Sequence, residues 1–315
     1  MILAIDIGGT HYKLGLVDAA GGIHQLRTGS TDRTGGADWM IARLNREAKE
    51  LLEQAPAGVR ACGIGFGGPV DFAAQRILSS THVAGWNEID LPGMLKAELG
   101  LPAVVENDAN AGALGELRFG AGQGCRHLVY LTISTGIGGG IIIDGSLYRG
   151  AKGQAGERGH LPVLPGGPRC DCGNQGCLEA LASGKSIGRR AEEACAARPE
   201  RGSALLALAA GAALSAETVF AAAGQGDPLA LELVDETCRY LGLGLAMVVN
   251  TLSPELIVLG GGVSRAGEAL LAPLRQHTAA YTMPAHRELI RVEQARHPDE
   301  AVLLGAAALA RTWVV

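Results

Sequence analysis

The segment from Gly156 to Glu179 constrains this chain more than any other part of its sequence. It reads GERGH, then nine residues, then CDCGNQGCLE. The four candidate metal ligands in it are His160, Cys170, Cys172 and Cys177. Three thiolates and an imidazole complete the tetrahedral shell of Zn²⁺, and glycines between the ligands permit the tight turns of a metal knuckle. The pattern therefore favours a structural zinc site over buried thiols or an adventitious disulfide.

Two acidic residues flank this cluster, Glu157 before the cysteines and Glu179 after them. A loop ordered by a metal would hold both carboxylates in fixed positions. Four protein ligands leave no open coordination position, so the metal itself would not activate water. We interpret the segment as a binding site braced by zinc.

Length, charge and cysteine usage argue against several classes of protein. A chain of 315 residues is long enough for two domains, each with its own core. A net charge of -5 and an aromatic content of 4% give no reason to expect nucleic acid or an anionic membrane as a partner. The apolar stretches fall far short of the ~20 residues of a membrane helix, and no secretory signal is recognisable. Seven cysteines, an odd number, indicate a reducing, cytoplasmic location.

Two blocks of the chain begin with the same pattern, a strand, a glycine-rich turn and a second strand. Residues 2–18 carry it first, and residues 127–143 repeat it. The spacing of apolar residues predicts helices at 38–54, 91–99, 108–117, 184–197, 203–213, 216–223, 228–252 and 301–312. A strand at 255–259 enters a run of glycines. We predict two α/β lobes with an interlobe cleft, which is a usual place for a small-molecule site.

The first glycine turn, DIGGT, has the composition of a phosphate-binding turn. Its candidate nucleotide-binding residues, with a lysine just beyond them, are Asp6, Gly8, Gly9, Thr10 and Lys13. Glycines let backbone N–H groups approach an anion closely, and Thr10 adds a hydroxyl donor. Asp6 would order Mg²⁺ through water, because this ion keeps much of its hydration shell. A plain hairpin turn explains this motif equally well when it is taken alone.

Two more glycine-rich segments lie in the second block. STGIGGG contributes Ser134, Thr135, Gly136 and Gly138, and GGGVS contributes Gly260, Gly261 and Gly262. Two phosphate turns, one in each lobe, are a stronger signal than either alone, since together they would hold the phosphate tail of a nucleotide. The GGG segment would let a purine or ribose approach the backbone, although a strand-to-helix connection is the simpler interpretation of it in isolation.

The motif ENDAN at 106–110 ends a predicted strand and opens a predicted helix. Asp108 has the position of a general base there, with Asn107 holding a substrate hydroxyl. The alternative is a helix cap without a chemical role. A G-x-G-x-x-G pattern from Gly63 to Gly68 does not indicate a dinucleotide site, because a strand-like run follows where a helix should begin.

Taken in order, these motifs resemble the ROK family, a group of bacterial sugar kinases and sugar-responsive repressors within the actin/hexokinase-like superfamily. The resemblance runs from Met1 to about Ala310 and includes PELIVLGGGV near the end. Its most specific part is the His/Cys signature. The resemblance implies a two-lobed, ribonuclease-H-like α/β fold. A small lobe of residues 1–119 would be completed by a C-terminal helix at 301–315, and a large lobe of residues 120–300 would carry the zinc loop.

The resemblance also implies the ligands and their contacts. ATP and Mg²⁺ would bind at the two phosphate turns, Zn²⁺ in the loop and a hexose in the cleft, within a homodimer. Asp108 would take the proton from the 6-hydroxyl of the sugar. The other residues implied as sugar ligands are Gly68, Asn107, Glu157, His160 and Glu179. One ring nitrogen of His160 would bind zinc and the other would face the sugar, since a metal-bound histidine normally gives its second nitrogen a partner.

The sequence departs from the family pattern at several positions. Gly67 replaces the first proline of a V-P-G-P-V-D type loop, which should loosen a loop that faces the sugar. The segment His82-Val83-Ala84 stands before Gly-Trp where Asn-Leu-Pro is usual, and Arg158 replaces a residue that is commonly apolar. These departures leave the identity of the sugar open.

The family holds both kinases and repressors, and the residues favour a kinase. A repressor would carry a helix-turn-helix domain before the first phosphate turn, whereas the first predicted strand begins at Ile2. The retained phosphate turns and Asp108 also favour catalysis. We expect ATP-dependent phosphorylation of a hexose, with glucose as the leading acceptor. The alternatives are an N-acetylmannosamine, N-acetylglucosamine or fructose kinase of the same family, or a non-catalytic sugar-sensing regulator.

Overall fold

The computed structural model describes residues 1–56, 58–80 and 83–313. Its strands are β1 (Ile2–Ile7), β2 (His11–Val17), β3 (Ile23–Ser30), β4 (Cys62–Phe66), β5 (Val70–Asp71), β6 (Arg76–Ile77), β7 (Ala103–Asn107), β8 (Leu128–Ile133), β9 (Ile137–Ile143), β10 (Ser146–Leu147), β11 (Leu256–Gly260) and β12 (Val292–Gln294). Its helices are α1 (Gly36–Glu53), α2 (Leu91–Leu99), α3 (Asp108–Phe119), α4 (Leu178–Ala182), α5 (Gly184–Ala197), α6 (Pro199–Ala209), α7 (Ala216–Gly224), α8 (Pro228–Leu252), α9 (Glu268–Tyr281) and α10 (Ala301–Trp313). Short 3₁₀ helices cover Arg158–His160, Gly262–Ala266 and Pro284–Leu289.

Most predicted helices lie where the apolar spacing placed them, but α6 begins at Pro199 and not at Ser203. Pro199 occupies the first turn, where its fixed φ and missing N–H are tolerated. Ala210 ends the helix in the left-handed conformation, with a φ of 49°. The alanine-rich sequence continues beyond the end of α6, and for this reason the apolar spacing predicted a helix that begins and ends too late. No helix in the described ranges is both long and apolar enough to cross a membrane.

The chain divides into two compact units. The first comprises Met1–Tyr130, Gly140–Gly156 and Asp299–Val315, and the second comprises Leu131–Gly139 and Glu157–Pro298. Residues 120–130 and 140–156 therefore belong to the first unit, whereas the division drawn from the sequence put them in the second lobe. The reason is tertiary packing: Tyr130 packs against α3, and Arg149 forms an ion pair with Glu106 at the end of β7.

The first unit is built on a sheet whose two faces are both covered by helices. Its strand order is β3-β2-β1-β4-β7; β2 runs antiparallel to β1 and β3, while β4 runs parallel to β1 and β7. Side chains alternate between the two faces of a strand. In β1, Ile2 and Ala4 pack with α10, whereas Leu3, Ile5 and Ile7 pack with α1 and α2. This explains why β1 is apolar at nearly every position.

Helices α3 and α10 of the first unit approach each other through glycine. A Cβ atom at Gly305 would lie 1.6 Å from the carbonyl oxygen of Ala111, and one at Gly115 would lie 2.1 Å from that of Ala301. A side chain at either position would force the two helices apart. The backbone of α10 thus lies directly against the helix that begins at Asp108.

A second sheet has the strand order β10-β9-β8-β11-β12. When only the strands of each sheet are counted in chain order, this order (third, second, first, fourth, fifth) is the same as that of the first sheet. The outer pairs also agree in direction, since β10 is antiparallel to β9 and β12 is parallel to β11. The repeat that residues 2–18 and 127–143 indicated is therefore confirmed.

Candidate functional site

The DIGGT turn connects β1 to β2 in the first unit and is held in shape by hydrogen bonds. The amide of Gly8 donates to the carbonyl of His11 at 2.9 Å. The guanidinium of Arg33 donates to the carbonyl of Gly9 at 2.9 Å and to Thr10 Oγ1 at 3.3 Å. Arg33 therefore fixes the turn and adds a positive charge beside it, which suits an anion. No sequence pattern indicated Arg33, because it reaches the turn from beyond β3.

Asp6 and Lys13 are direct partners in the antiparallel pair of β1 and β2. Burial raises the pKa of Asp6 to about 7; the charge of Lys13 opposes this rise, and that of Asp108 adds to it. Lys13 Nζ donates to the carbonyl of Asp299. A divalent cation nearby would favour the charged form of Asp6 and relieve this burial cost. The surroundings of Asp6 thus fit the Mg²⁺-ordering role predicted for it.

Replacing Asp6 by Asn should make the stability of the protein less dependent on pH. The carboxyl of an unfolded chain loses its proton near pH 3.8, whereas folded Asp6 keeps it until about pH 7. The folded state binds more protons in this window, so the free energy of unfolding of the wild type falls as the pH rises through it. Asp6→Asn should therefore gain stability over the wild type above about pH 7, and the gain should vanish below about pH 4.

Urea denaturation from about pH 4 to about pH 8, without nucleotide or Mg²⁺, measures this difference. A difference in unfolding free energy that stays constant across the range would contradict a raised pKa of Asp6.

The carboxylate of Asp108 lies at the start of α3, directly after β7. Asn107 caps the helix, since its Oδ1 accepts from the amides of Ala109 (3.0 Å) and Asn110 (3.1 Å). Asp108 Oδ1 accepts from the amide of Ala109 at 2.8 Å and from Asn107 Nδ2 at 3.1 Å. The capping residue is therefore Asn107 and not Asp108. Two donors orient one oxygen of the Asp108 carboxylate.

Gly67 and Gly68 lie beside this carboxylate. A Cβ atom at Gly67 would be 3.5 Å from Asp108 Oδ2, and Asn107 Nδ2 donates to the carbonyl of Gly68 at 3.2 Å. The amide of Gly67 donates to the carbonyl of Ile7 at 2.8 Å, a bond that a proline at this position cannot make. Glycine in place of the family's proline thus adds a hydrogen bond from this loop to β1, which opposes the loosening that the loss of proline predicts.

The second departure, His82-Val83-Ala84, is only partly described, because His82 lies outside the described residues. Val83 is buried in the core of the first unit. Trp86 is buried against Phe66, with the ring centroids 4.9 Å apart. The described part of this segment is therefore anchored by apolar packing.

A buried ion pair between Glu106 and Arg149 holds the ENDAN motif in place. Glu106 is only 1% exposed and accepts from Arg149 Nε (2.7 Å), Asn110 Nδ2 (3.1 Å) and the amide of Asn107 (2.9 Å). The guanidinium of Arg149 also lies 3.6 Å from the centroid of the Phe72 ring. These contacts compensate the buried charge and fix the end of β7. No local pattern indicated the pair, since 43 positions separate its members.

The four predicted metal ligands come together in the second unit. His160 Nδ1 lies 3.6 Å from Cys170 Sγ, and the Sγ atoms of Cys172 and Cys177 are 3.7 Å apart. All four ligand atoms lie within 4.8 Å of one another. Zn–S bonds of ~2.3 Å in a tetrahedron place two sulfur atoms about 3.8 Å apart. The cluster therefore fits Zn²⁺ in donor type and in spacing.

Two glycines make the turns between these ligands. Gly173 and Gly176 have φ angles of 95° and 71°, in the left-handed region that side chains disfavour. A Cβ atom at Gly176 would lie 1.7 Å from the carbonyl oxygen of Leu164. The amide of Cys170 donates to the carbonyl of Asn174 at 2.8 Å and closes the knuckle. The tight turns predicted for this loop are confirmed.

The two glutamates that flank the cluster have different surroundings. Glu157 is exposed, and its Oε2 lies 3.9 Å from Nε2 of His160, the ring nitrogen not engaged with Cys170. Glu179 in α4 accepts from the amide of Ile137 at 2.8 Å. Glu157 and His160 therefore present adjacent polar groups, while Glu179 also holds the end of the second glycine turn.

That second turn lines a cavity of about 780 Å³ within the second unit. Predicted nucleotide residues in its wall are Ser134, Thr135 and Gly262. Gly136, Gly138, Gly260 and Gly261 belong to the same two segments but are not among the described residues that line it. The volume is that of a typical small-molecule site. The STGIGGG and GGGVS segments thus border one cavity large enough for a nucleotide.

The cavity wall also contains residues that no motif indicated. They include the cations Lys185 and Arg265, and Glu217 and Phe220 from α7. Phe220 is 9% exposed and gives the wall an apolar surface. Helix α7 is brought to the glycine turns by tertiary packing, so its sequence carried no signal of this role.

The sequence and the fold agree with comparisons against known proteins. The ROK family model matches residues 2–313. The chain is 39% identical to a glucokinase of Halalkalibacterium halodurans over 90% of this chain and 86% of that protein. It is 37% identical to a glucokinase of Streptomyces coelicolor over 99% and 98%, respectively.

Among solved structures, a ROK family glucokinase from Streptomyces griseus in complex with glucose and AMPPNP is similar, with a TM-score of 0.87 and 38% identity over 99% of both chains. This likeness confirms the predicted α/β fold of the actin/hexokinase-like class. Since the motifs, the fold and a family model covering nearly all residues agree, the chain belongs to the ROK family.

Proposed function

We propose that this protein is an ATP-dependent hexose kinase that phosphorylates the 6-hydroxyl of glucose. The observation that carries the proposal is the orientation of Asp108, whose carboxylate is fixed beside Gly67 while Asn107 caps the helix. The similar glucokinases, one of them solved with glucose and AMPPNP, support glucose as the acceptor and ATP as the donor.

Asp108 is the general base of the proposed reaction. It accepts the proton of the sugar 6-hydroxyl as that oxygen bonds to the γ-phosphorus, and the bond from this phosphorus to the bridging oxygen breaks to release ADP. Two donors hold Oδ1 of this carboxylate, and Oδ2 lies toward Gly67. Positioning of the two substrates supplies most of the acceleration.

The remaining polar groups bind the other hydroxyls of the sugar. The carboxylates of Glu157 and Glu179 accept hydrogen bonds from hydroxyl groups, and the side chain of Asn107 and the backbone of Gly68 add neutral contacts. His160 contributes Nε2, because its Nδ1 belongs to the metal cluster. Hydrogen bonds to charged groups contribute roughly 1.5–3 kcal/mol each, so the two carboxylates would dominate sugar affinity.

The candidate nucleotide-binding groups are the DIGGT turn of the first unit and, in the second unit, the STGIGGG turn with its cavity. Backbone amides of DIGGT and STGIGGG donate to the phosphates, and the cavity receives the nucleoside. Asp6 would hold Mg²⁺, and this ion would offset the negative charge of the phosphates. Zn²⁺, when bound by the four ligands, supplies a rigid brace for Glu157 and His160.

An assay of ADP release over a panel of sugars tests the proposal. We expect the highest kcat/KM with glucose, by about tenfold or more over mannose, fructose, N-acetylmannosamine and N-acetylglucosamine. A higher kcat/KM with one of the other sugars would support a kinase whose preferred acceptor is that sugar and not glucose. Binding of glucose without turnover of any sugar would contradict a kinase and indicate a sugar-sensing regulator.

A cytoplasmic location belongs to the same proposal, since ATP is found there and the described cysteines form no disulfide bond with one another. The homodimer implied by the family stays a prediction.

A further inference from the structure

Lys185 lies at the start of α5 and lines the cavity of the second unit. The residue before it, Gly184, donates its amide to the carbonyl of Ser134 at 2.7 Å. A Cβ atom at Gly184 would lie 2.7 Å from the same oxygen. Helix α5 therefore begins in direct contact with the STGIGGG turn, and Lys185 lines the same cavity as Ser134 of that turn.

The ammonium group of Lys185 pairs with Asp171, with 3.1 Å between Nζ and Oδ2. Asp171 stands between the metal ligands Cys170 and Cys172. The side chains of the pair are 65% and 85% exposed, so water and salt screen their attraction and the pair contributes little to stability. A contact of this kind is readily exchanged for a stronger one.

We propose that Lys185 binds the phosphate groups of the nucleotide and leaves Asp171 when the nucleotide enters the cavity. A phosphate tail carries more negative charge than one carboxylate and offers several acceptor oxygens to the rotatable ammonium group. The inference rests on the proposed function, since it adds a residue that binds the phosphoryl donor of that reaction.

The place of Lys185 in the wall favours the phosphates over the nucleoside. The carbonyl of Ser134 in the phosphate turn accepts from the amide of Gly184, the residue before Lys185, and Ser134, Thr135 and Lys185 line the same cavity. Phe220 offers an apolar surface and Gly262 an open backbone, which suit a base and a ribose. Lys185 is thus a cation in the wall of the cavity that the phosphate turn borders.

The variant Lys185→Gln tests the inference through binding of adenosine, AMP, ADP and AMPPNP, measured by calorimetry on the full chain with Mg²⁺ and zinc present. Loss of one charged contact should weaken ADP and AMPPNP binding by about tenfold and leave adenosine within about twofold of the wild type. Lys185→Arg should retain most of the affinity because it keeps the charge. Arg189→Gln removes a charge one turn later on α5, where Arg189 pairs with Glu193, and should change none of the four affinities.

Asp171→Asn separates phosphate binding from a purely structural role of the pair. If Lys185 binds phosphate, this variant should bind AMPPNP as tightly as the wild type or more tightly. If Lys185 only braces the metal loop, Asp171→Asn would reproduce the defect of Lys185→Gln, and the inference would fail.

Unchanged AMPPNP affinity in Lys185→Gln, or equal losses for adenosine and AMPPNP, would also overturn it. A wild-type chain that binds no adenine nucleotide would contradict the proposed function itself. Equal binding by the wild type and the variant would contradict only the role of Lys185.

Discussion

Asp108→Asn should lower kcat by about 10³-fold, within the 10²–10⁴ range of general-base catalysis, and should leave glucose affinity within about threefold of the wild type. Asparagine is nearly isosteric and keeps an oxygen for the amide of Ala109, so the start of α3 should persist. Its amide cannot accept the proton of the sugar hydroxyl. The loss should therefore appear in the chemical step, which single-turnover kinetics and glucose calorimetry measure separately.

Asp144→Asn is a suitable control for this variant. Asp144 is an acid of the same unit, exposed in a turn and paired with Arg126, and its replacement should leave kcat unchanged. A kcat for Asp108→Asn within about tenfold of the wild type would remove Asp108 as the base. Loss of glucose binding with no separate effect on kcat would make Asp108 a sugar ligand only.

The protein should contain one zinc ion per chain, and Cys172→Ser should lose both the metal and most of its glucose affinity. Zinc stabilises a loop of this kind directly, because the free energy of metal binding adds to the free energy of folding. Without it, Glu157 and His160 would no longer be held in place. We expect glucose to bind about 100-fold more weakly, as for the loss of one or two hydrogen bonds to charged groups. Metal analysis and glucose calorimetry of the purified variant give the two measurements.

Cys125→Ser provides the matched control, since Cys125 is a partly exposed thiol outside the metal cluster. It should keep both the metal and the glucose affinity. Active wild-type protein that lacks stoichiometric zinc would contradict the assignment of the cluster.

The parts of the site that could be predicted are those whose chemistry lies in neighbouring residues. The His160 and cysteine spacing, together with Gly173 and Gly176, specifies a knuckle because ligands and turns are all local. The glycine turns between paired strands were predictable for the same reason, and the similar openings of the two blocks indicated the repeat, although the strand order was learned only from the structure.

What could not be predicted depends on contacts between distant segments. Arg33 on the first glycine turn, and Arg149 against Glu106, reach the site only after the chain has folded. The bond from the Ile137 amide to Glu179, which gives that glutamate a second role, is also tertiary. Locally, Asn107 and Asp108 are equally good helix caps. The choice between them is made by where β7 ends, since Asn107 is the last residue of that strand and caps α3.

The position of α10 has a consequence for how the protein is made. This helix forms one of the two cores of the first unit, and Gly305 lies against Ala111 in the helix that starts with Asp108. During synthesis the residues of the second unit leave the ribosome before α10 does. They can therefore fold while the first unit still lacks this helix. The helix that carries the proposed base gains its support only when translation reaches the far end of the chain. A nascent or prematurely terminated chain would therefore have the four-ligand cluster and the cavity of the second unit, while α3 still lacked the helix that packs against it.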